Sequence, residues 1–182
     1  AVHAFAILDD GTLACAGADG LALLGADDAL PERRLPGLAL RAALFAGGHW
    51  YLATDQALLL HTGAQLYRYA SEAVSEQTPD WQPIADADAA TAQSPLPAVR
   101  ALAVTPDGWL WLATAAGLER WGVAGESLGS AERLADGRTT RLHAYPDLGT
   151  GAVHALSLDA RGVLYIAGEV GLLRATERDL AQ

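Results

Sequence analysis

The sequence predicts an all-β protein that is built from repeated sheets of three or four short strands. A turn glycine recurs in four segments of the chain, and a leucine follows it ten residues later each time. The central strand of each segment is largely apolar at both parities, which indicates a sheet buried on both faces. Glycine, proline and aspartate divide the strands at short intervals, as hairpin turns require. The glycine–leucine pairs are Gly11 and Leu21, Gly48 and Leu58, Gly108 and Leu118, and Gly162 and Leu172.

Aligned columns of the repeat predict how the sheets pack. One column contains only alanine, and small residues there predict close approach of neighbouring sheets. Two positions earlier, three of the four segments carry a large aromatic side chain, which we expect to pack between sheets as core. Cys15 stands in a column of leucine and isoleucine, so we expect a small buried apolar residue rather than a reactive thiol. The alanines are Ala16, Ala53, Ala113 and Ala167, and the aromatic residues are Tyr51, Trp111 and Tyr165.

The first segment starts at the beginning of the chain. Its strands are predicted at Val2 to Leu8, Thr12 to Ala16 and Leu21 to Leu24. A fourth strand is expected near Arg33 to Leu38, where the prolines fit an edge strand because one row of its amides has no partner.

The second segment, Leu40 to His61, departs most from the repeat. Its first turn, Ala46-Gly47-Gly48, is one residue shorter, and Ala57 replaces the glycine of the next turn. Gln65 to Tyr69 is its predicted fourth strand.

Residues 71–97, from Ser71 to Pro97, form a predicted acidic loop insertion. They contain five carboxylates and no Lys, Arg or His. Carboxylates without a basic neighbour resist burial, so we expect the insertion at the periphery, in contact with a partner or solvent. Trp81 to Ile84 interrupts the polar character and is a candidate short outer strand. The partner-contact candidates are Asp80, Trp81, Asp86 and Asp88.

The third segment, Val99 to Trp121, shows the repeat most clearly. It reads VRALAVTPDGWLWLATAAGLERW, and Thr139 to Tyr145 is its predicted fourth strand. The last segment runs from Val153 to Ala175, and only Thr176 to Gln182 follows it, which is too short for a turn and a fourth strand.

Strand repeats of about 40 to 50 residues with doubly buried sheets are what a β-propeller requires, because each blade packs between two neighbours. We therefore predict a single β-propeller over residues 1–182. It has about four blades in this chain, at residues 1–39, 40–98, 99–152 and 153–182. We also expect that the chain does not close a ring alone and belongs to a larger ring or assembly. A small closed ring of four blades is the alternative.

Two segments resemble a known family of repeats. VRALAVTPDGWLWLATAAGLERW and VHALSLDARGVLYIAGEVGLLRA are similar to the repeats of two-component-regulator propellers, which read roughly V-x-x-L-x-x-D-x-x-G-x-L-W-I-G-T-x-x-G-L-x-R-Y. The stretch TRLHAYPDLGTGAVHAL resembles the passage between two blades of that family. NHL and virginiamycin-lyase-like propellers have similar repeats. The resemblance implies the architecture and a sensor-type extracytoplasmic protein, but it implies no particular catalytic activity.

Composition restricts the partners. The 12 basic residues are all arginine, and 22 acidic residues bring the net charge to −10. An acidic chain is a poor partner for nucleic acid, because binding phosphates needs a basic surface.

No apolar run approaches the roughly 18 residues of a membrane span. The absence of methionine, even at position 1, is expected for a processed or partial chain. We expect a periplasmic or extracellular location.

Four residues form the candidate site. His3, Arg100 and His154 follow the opening valine of their segments, and Arg41 takes the same place in the shortened second segment. The innermost strands of a propeller begin at one end of its channel, so these side chains are candidates for a cationic binding site at the channel mouth. Alternatively, they bind backbone carbonyls or nearby carboxylates between blades.

No motif predicts catalysis, a cofactor or a metal. There is no phosphate-binding loop, no G-x-S-x-G, and no pair of Cys or His at ligand spacing. The acidic turn at Asp9-Asp10-Gly11 lacks the alternating ligands of a calcium loop, and Asp107 and Asp159 in the corresponding turns of later segments favour hairpin chemistry.

The sequence thus predicts a non-catalytic binding or scaffold module whose partners are other protein chains. The alternative is a lyase-like or hydrolase-like propeller enzyme with His3 or His154 as general base. A pocket that gathers the histidines with a carboxylate or a metal would favour the enzyme.

Overall fold

The computed structural model describes residues 2–8, 10–25, 32–62, 65–69, 81–85, 97–105, 109–122, 140–145, 152–159, 161–169 and 171–176. The regular secondary structure in these ranges consists of β-strands, as predicted, and all strand pairing there is antiparallel. The chain divides into two compact units, Ala1–Ala98 and Val99–Gln182. Each unit contains two sheets, which we number 1 to 4 along the chain.

Sheet 1 consists of four strands in sequence order. They are β1 (Val2–Ile7), β2 (Leu13–Gly17), β3 (Gly20–Leu24) and β4 (Glu32–Arg34). The predicted edge strand is confirmed, but β4 is short because Leu35 adopts a positive φ of 53° and Pro36 and Gly37 follow in a turn. Glycine is required at Gly20, since a Cβ there would lie 2.3 Å from the carbonyl oxygen of Leu35.

Sheet 2 completes the first unit. Its five strands, in sequence order, are β5 (Ala42–Ala46), β6 (His49–Ala53), β7 (Leu58–His61), β8 (Leu66–Tyr69) and β9 (Trp81–Ile84). The shortened turn is a two-residue hairpin in which Gly47 and Gly48 both have positive φ, at 58° and 81°. That pair of angles is the signature of a type I′ turn.

The predicted outer strand in the acidic insertion is also confirmed. Strand β9 pairs with β8, so that Trp81 lies opposite Tyr69, and the two rings meet edge-on at 5.6 Å between centroids. The rest of the insertion, at residues 71–80 and 86–96, lies outside the described residues.

The second unit contains sheets 3 and 4. Sheet 3 is β10 (Val99–Val104), β11 (Leu110–Thr114), β12 (Gly117–Gly122) and β13 (Thr140–Tyr145). Sheet 4 is β14 (Val153–Leu158), β15 (Leu164–Gly168) and β16 (Gly171–Ala175). The described part of the last segment thus has the three strands that were predicted.

Each sheet has two faces that we name by their side chains. The alanine face carries the alanine column, Ala16, Ala53, Ala113 and Ala167, and the other is called the opposite face. In the first unit, the alanine face of sheet 1 packs on the opposite face of sheet 2 and forms a core of Ala14, Ala16, Leu21, Leu38, Leu40, Trp50, Leu52, Ala57 and Leu59. In the second unit, the alanine face of sheet 3 packs in the same way on the opposite face of sheet 4.

The expected core aromatics differ in burial. Tyr51 and Trp111 are both fully buried, which confirms their place in the core. Tyr165 is only half-buried, because it lies on the alanine face of sheet 4, where Leu172 is 73% exposed. Cys15 is a free thiol and half-buried rather than buried, since the opposite face of sheet 1 carries little that covers it.

Candidate functional site

Three of the four predicted site residues occupy the same backbone irregularity. In the first strand of sheets 1, 3 and 4, the register shifts by one residue between the opening valine and the alanine two positions later. His3, Arg100 and His154 are the residues at that shift, and all three are exposed. An extra residue of this kind interrupts the hydrogen-bonded ladder between the two strands and changes the direction of its side chain. For this reason β-bulges are common beside functional sites.

Arg41 reaches a similar position without a bulge. It lies immediately before β5, and its backbone N–H donates to the carbonyl of Ala53 at 2.7 Å. Leu40, the residue before it, is fully buried, as are Val99 and Val153 at the start of their sheets. A buried apolar residue therefore precedes Arg41, Arg100 and His154, whereas Val2, the residue before His3, is 65% exposed.

His3 is held by the backbone of the first unit. Its Nδ1 lies 2.9 Å from the carbonyl oxygen of Leu40. Because a carbonyl only accepts, Nδ1 carries the proton and donates, and Nε2 is left as an acceptor. This contact matches the predicted alternative in which the imidazole binds a backbone carbonyl.

Arg41 forms a two-pronged ion pair with Asp55. Its Nε donates to Oδ1 at 2.5 Å, and its Nη2 donates to Oδ2 at 2.8 Å. These hydrogen bonds from Arg41 hold the pKa of the Asp55 carboxyl below its usual range, and the charge of Arg41 acts in the same direction. The side chains remain 48% and 63% exposed, so the pair lies at the surface. The guanidinium fork of Arg41 is thus already satisfied by a carboxylate.

Arg100 and His154 meet within the second unit. Nη1 of Arg100 donates to Nδ1 of His154, since a guanidinium cannot accept. The proton of the neutral imidazole therefore lies on Nε2. The pair joins the first strands of sheets 3 and 4 and presents N–H donors to solvent.

Of the four candidates, Arg100 and His154 contact each other in the second unit, whereas in the first unit His3 binds the carbonyl of Leu40 and Arg41 binds Asp55. Asp55 was missed by the sequence reasoning. A signal for it exists, because the residue two positions after the alanine column is acidic in two of the four segments, Asp55 and Glu169.

The acidic turns act as turns in the described residues. Oδ1 of Asp10 accepts the backbone N–H of Thr12 at 2.9 Å. Oδ1 of Asp159 accepts the backbone N–H groups of Arg161 and Val163 at 2.8 and 3.0 Å. The hydrogen bond from Val163, followed by those from Arg161, holds the pKa of the Asp159 carboxyl below its usual range. Asp9 and Asp107 lie outside the described residues.

Within the described ranges, no group of three or more His, Cys, Asp or Glu side chains is placed to hold a metal ion. The same ranges include no helix long and apolar enough to cross a membrane.

The partner-contact candidates of the insertion fall into two groups. Trp81 belongs to β9 and is only 4% exposed, so its indole belongs to the packing of sheet 2. Asp80, Asp86 and Asp88 lie outside the described residues, and a partner contact there stays a prediction.

A cavity of about 230 Å³ opens on sheet 1. Its wall includes Val2, Cys15 and Ala22, and its lining also contains two charged side chains, Asp19 and Arg33. The cavity forms because Cys15 and Ala22 are small where sheet 2 carries Leu52 and Leu59. None of the four predicted site residues lines this cavity.

Comparisons with solved structures decide the fold. The extracellular domain of the hybrid two-component system BT4673 from B. thetaiotaomicron matches over 98% of this chain, with a TM-score of 0.57 and 16% identity. A second structure of that domain, described as part of a one-component system, gives a TM-score of 0.56 at the same identity. A catalytically inactive virginiamycin B lyase from Staphylococcus aureus, solved with quinupristin, gives a TM-score of 0.51 at 14% identity over 98% of this chain.

The fold is propeller-like. This chain spans 20% of the length of each BT4673 structure and 53% of the lyase, and identities this low bear on the fold alone. No protein-family model matches the sequence, and no curated protein matches it either.

Proposed function

We propose that this chain is a non-catalytic binding or scaffold module of about four propeller blades, part of a larger extracytoplasmic assembly or sensor. Its partners are other protein chains, which it contacts through the apolar faces of its sheets. The extracellular two-component domain among the structural matches supports this setting.

One observation carries the proposal. Strand β1 exposes three large apolar side chains, Val2 at 65%, Phe5 at 75% and Ile7 at 74%. Phe5 and Ile7 lie opposite Cys15 and Leu13, so they share one continuous face of sheet 1. Apolar side chains grouped on one sheet face mark an interaction surface, whereas scattered ones need no explanation.

The hydrogen bond of His154 supports the non-catalytic choice over the enzyme. A general base needs a free nitrogen lone pair within reach of the substrate proton. His154 already accepts from Arg100 at Nδ1 and carries its proton on Nε2. His3 retains an acceptor at Nε2, so it is the residue whose substitution tests the enzyme alternative.

The proposal is tested with a dye that fluoresces on apolar surfaces, 8-anilinonaphthalene-1-sulfonate, added to the purified chain at low concentration. The wild type binds the dye, and Phe5→Asp together with Ile7→Asp removes most of the signal without lowering the melting temperature. His3→Gln, which leaves sheet 1 intact, is the matched control and keeps the signal. A wild type that binds no dye contradicts the proposal, because its apolar face is then not available.

A further inference from the structure

Both units use one packing rule between consecutive sheets. The alanine face of the earlier sheet contacts the opposite face of the later one, in sheets 1 and 2 and again in sheets 3 and 4. In the second unit, Trp111 of the alanine face packs with Leu164 and Ile166 of the following sheet. Because the repeat uses the same interface twice, each remaining face is expected to fit a face of the same kind that its counterpart contacts.

Among the described residues, two faces of complementary kind carry strongly exposed apolar side chains. The first is the opposite face of sheet 1, which presents Phe5 and Ile7. The second is the alanine face of sheet 4, on which Leu172 is 73% exposed and Arg174 is also exposed. By the rule, the alanine face of sheet 4 is the kind of face that packs on the opposite face of sheet 1.

The details of the two faces agree with such a contact. Tyr165 lies on the alanine face of sheet 4, in the column of Trp111. By the rule, its ring is therefore expected to pack on the opposite face of the next sheet. On sheet 1 that face contains the cavity of about 230 Å³, walled in part by Cys15 and Ala22.

We propose that two copies of this chain associate head to tail, with the alanine face of sheet 4 in one copy packed on the opposite face of sheet 1 in the other. This inference rests on the proposed function and names its partner as a second copy. A head-to-tail contact closes into a ring if the rotation permits. Two copies with about four blades each supply about eight blades, which is within the usual range of propellers.

The first test is a disulfide between copies. Ala16 of sheet 1 and Leu52 of sheet 2 belong to one core, so their two columns belong to faces that pack together. Ala167 occupies the column of Ala16, and Cys15 occupies the column of Leu52. Ala167→Cys therefore places a thiol opposite Cys15 of the second copy, and diamide oxidises the two to a disulfide. Because Cys15 is the single native cysteine, the product is a covalent species of twice 18.9 kDa. Ala115→Cys, in an exposed turn, is the control and does not cross-link.

The second test separates the two faces. Phe5→Asp and Leu172→Asp each damage one face, and in a head-to-tail assembly each weakens self-association by at least about tenfold, equivalent to about 1.4 kcal/mol. Ala115→Asp adds the same charge away from both faces and leaves association unchanged. Melting temperatures like that of the wild type show that the variants are folded.

Three outcomes overturn the inference. A disulfide of the wild-type chain means that two sheet 1 faces meet symmetrically. A disulfide within one Ala167→Cys chain means that a single copy closes on itself. A monomer at all concentrations, without a cross-link, means that no second copy binds. In this last case, dye binding by the wild type still supports the proposed function, whereas its absence removes both.

Discussion

The hydroxyl of Thr114 donates to the carbonyl of Gly117 at 3.0 Å and accepts the backbone N–H of Ala116 at 3.2 Å. Thr114 is fully buried, so the hydroxyl satisfies the polar groups of the turn that joins β11 to β12. Thr54 does the same in sheet 2, where its hydroxyl accepts the N–H of Ala57 at 2.9 Å. Thr54 and Thr114, which directly follow the alanine column, therefore fix the turns that set the strand register.

Replacing Thr114 with valine keeps the shape of the side chain and removes the hydroxyl. We expect Thr114→Val to lower the free energy of unfolding by about 1 to 3 kcal/mol, because buried polar groups of the turn lose their partner. Thr114→Ser keeps the hydroxyl and should lose less. Urea unfolding measures both variants, and equal stability of the valine and serine variants would contradict the role of the hydroxyl.

The indole of Trp111 fills the core between sheets 3 and 4. The side chain is fully buried, so Trp111→Ala should reduce the free energy of unfolding by about 3 to 5 kcal/mol. Phe5→Ala removes a comparable ring that is 75% exposed and should change stability by less than about 0.5 kcal/mol. Thermal and urea unfolding compare the two, and a Trp111→Ala protein as stable as Phe5→Ala would refute this assignment of the core.

Trp81 is expected to be structural. It is 4% exposed and packs against Tyr69 within sheet 2. Trp81→Ala should therefore cost on the order of 3 kcal/mol. Gln82→Ala alters the adjacent, half-buried position of the same strand and serves as the control. If Trp81→Ala melted like the wild type and only weakened association, the indole would belong to a partner interface instead.

Asp159 should make stability depend on pH in a defined direction. Its pKa is lowered in the folded chain, mainly by the N–H of Val163. Its stabilising effect is therefore present above the unfolded pKa of about 3.9 and is lost as the pH falls through the lower folded value. Asp159→Ala should be less stable than the wild type at neutral pH, and the difference should shrink toward about pH 3.

Asp159→Asn provides the control for that series, since its amide oxygen still accepts the two N–H groups but does not titrate. Its urea midpoint should lie between those of the wild type and Asp159→Ala at neutral pH. A difference between wild type and Asp159→Ala that stays constant from neutral to acid pH would show that the carboxylate charge contributes nothing.

Much of the fold could be predicted because it depends on local patterns. The glycine and leucine spacing located the hairpins, and strand β9, Trp81–Ile84, has the bounds that were predicted. The register shift at His3, Arg100 and His154 could not be predicted, because a bulge depends on pairing with the next strand.

The candidate site was predictable only in part for the same reason. The common position of Arg41 and Arg100 could be derived from the repeat, but their partners could not. Asp55 and His154 are 14 and 54 residues away from them in sequence. Such contacts arise from the packing of sheets, which a periodic pattern does not encode.

The solution mass of the wild-type chain, measured by light scattering over a wide range of concentration together with dye binding, tests the central claim most directly. We predict a mass that rises above the 18.9 kDa of one chain as concentration increases. The dye signal per chain should fall over the same range, because association covers the apolar face of β1. A mass that stays at 18.9 kDa with no dye bound at any concentration would contradict the account.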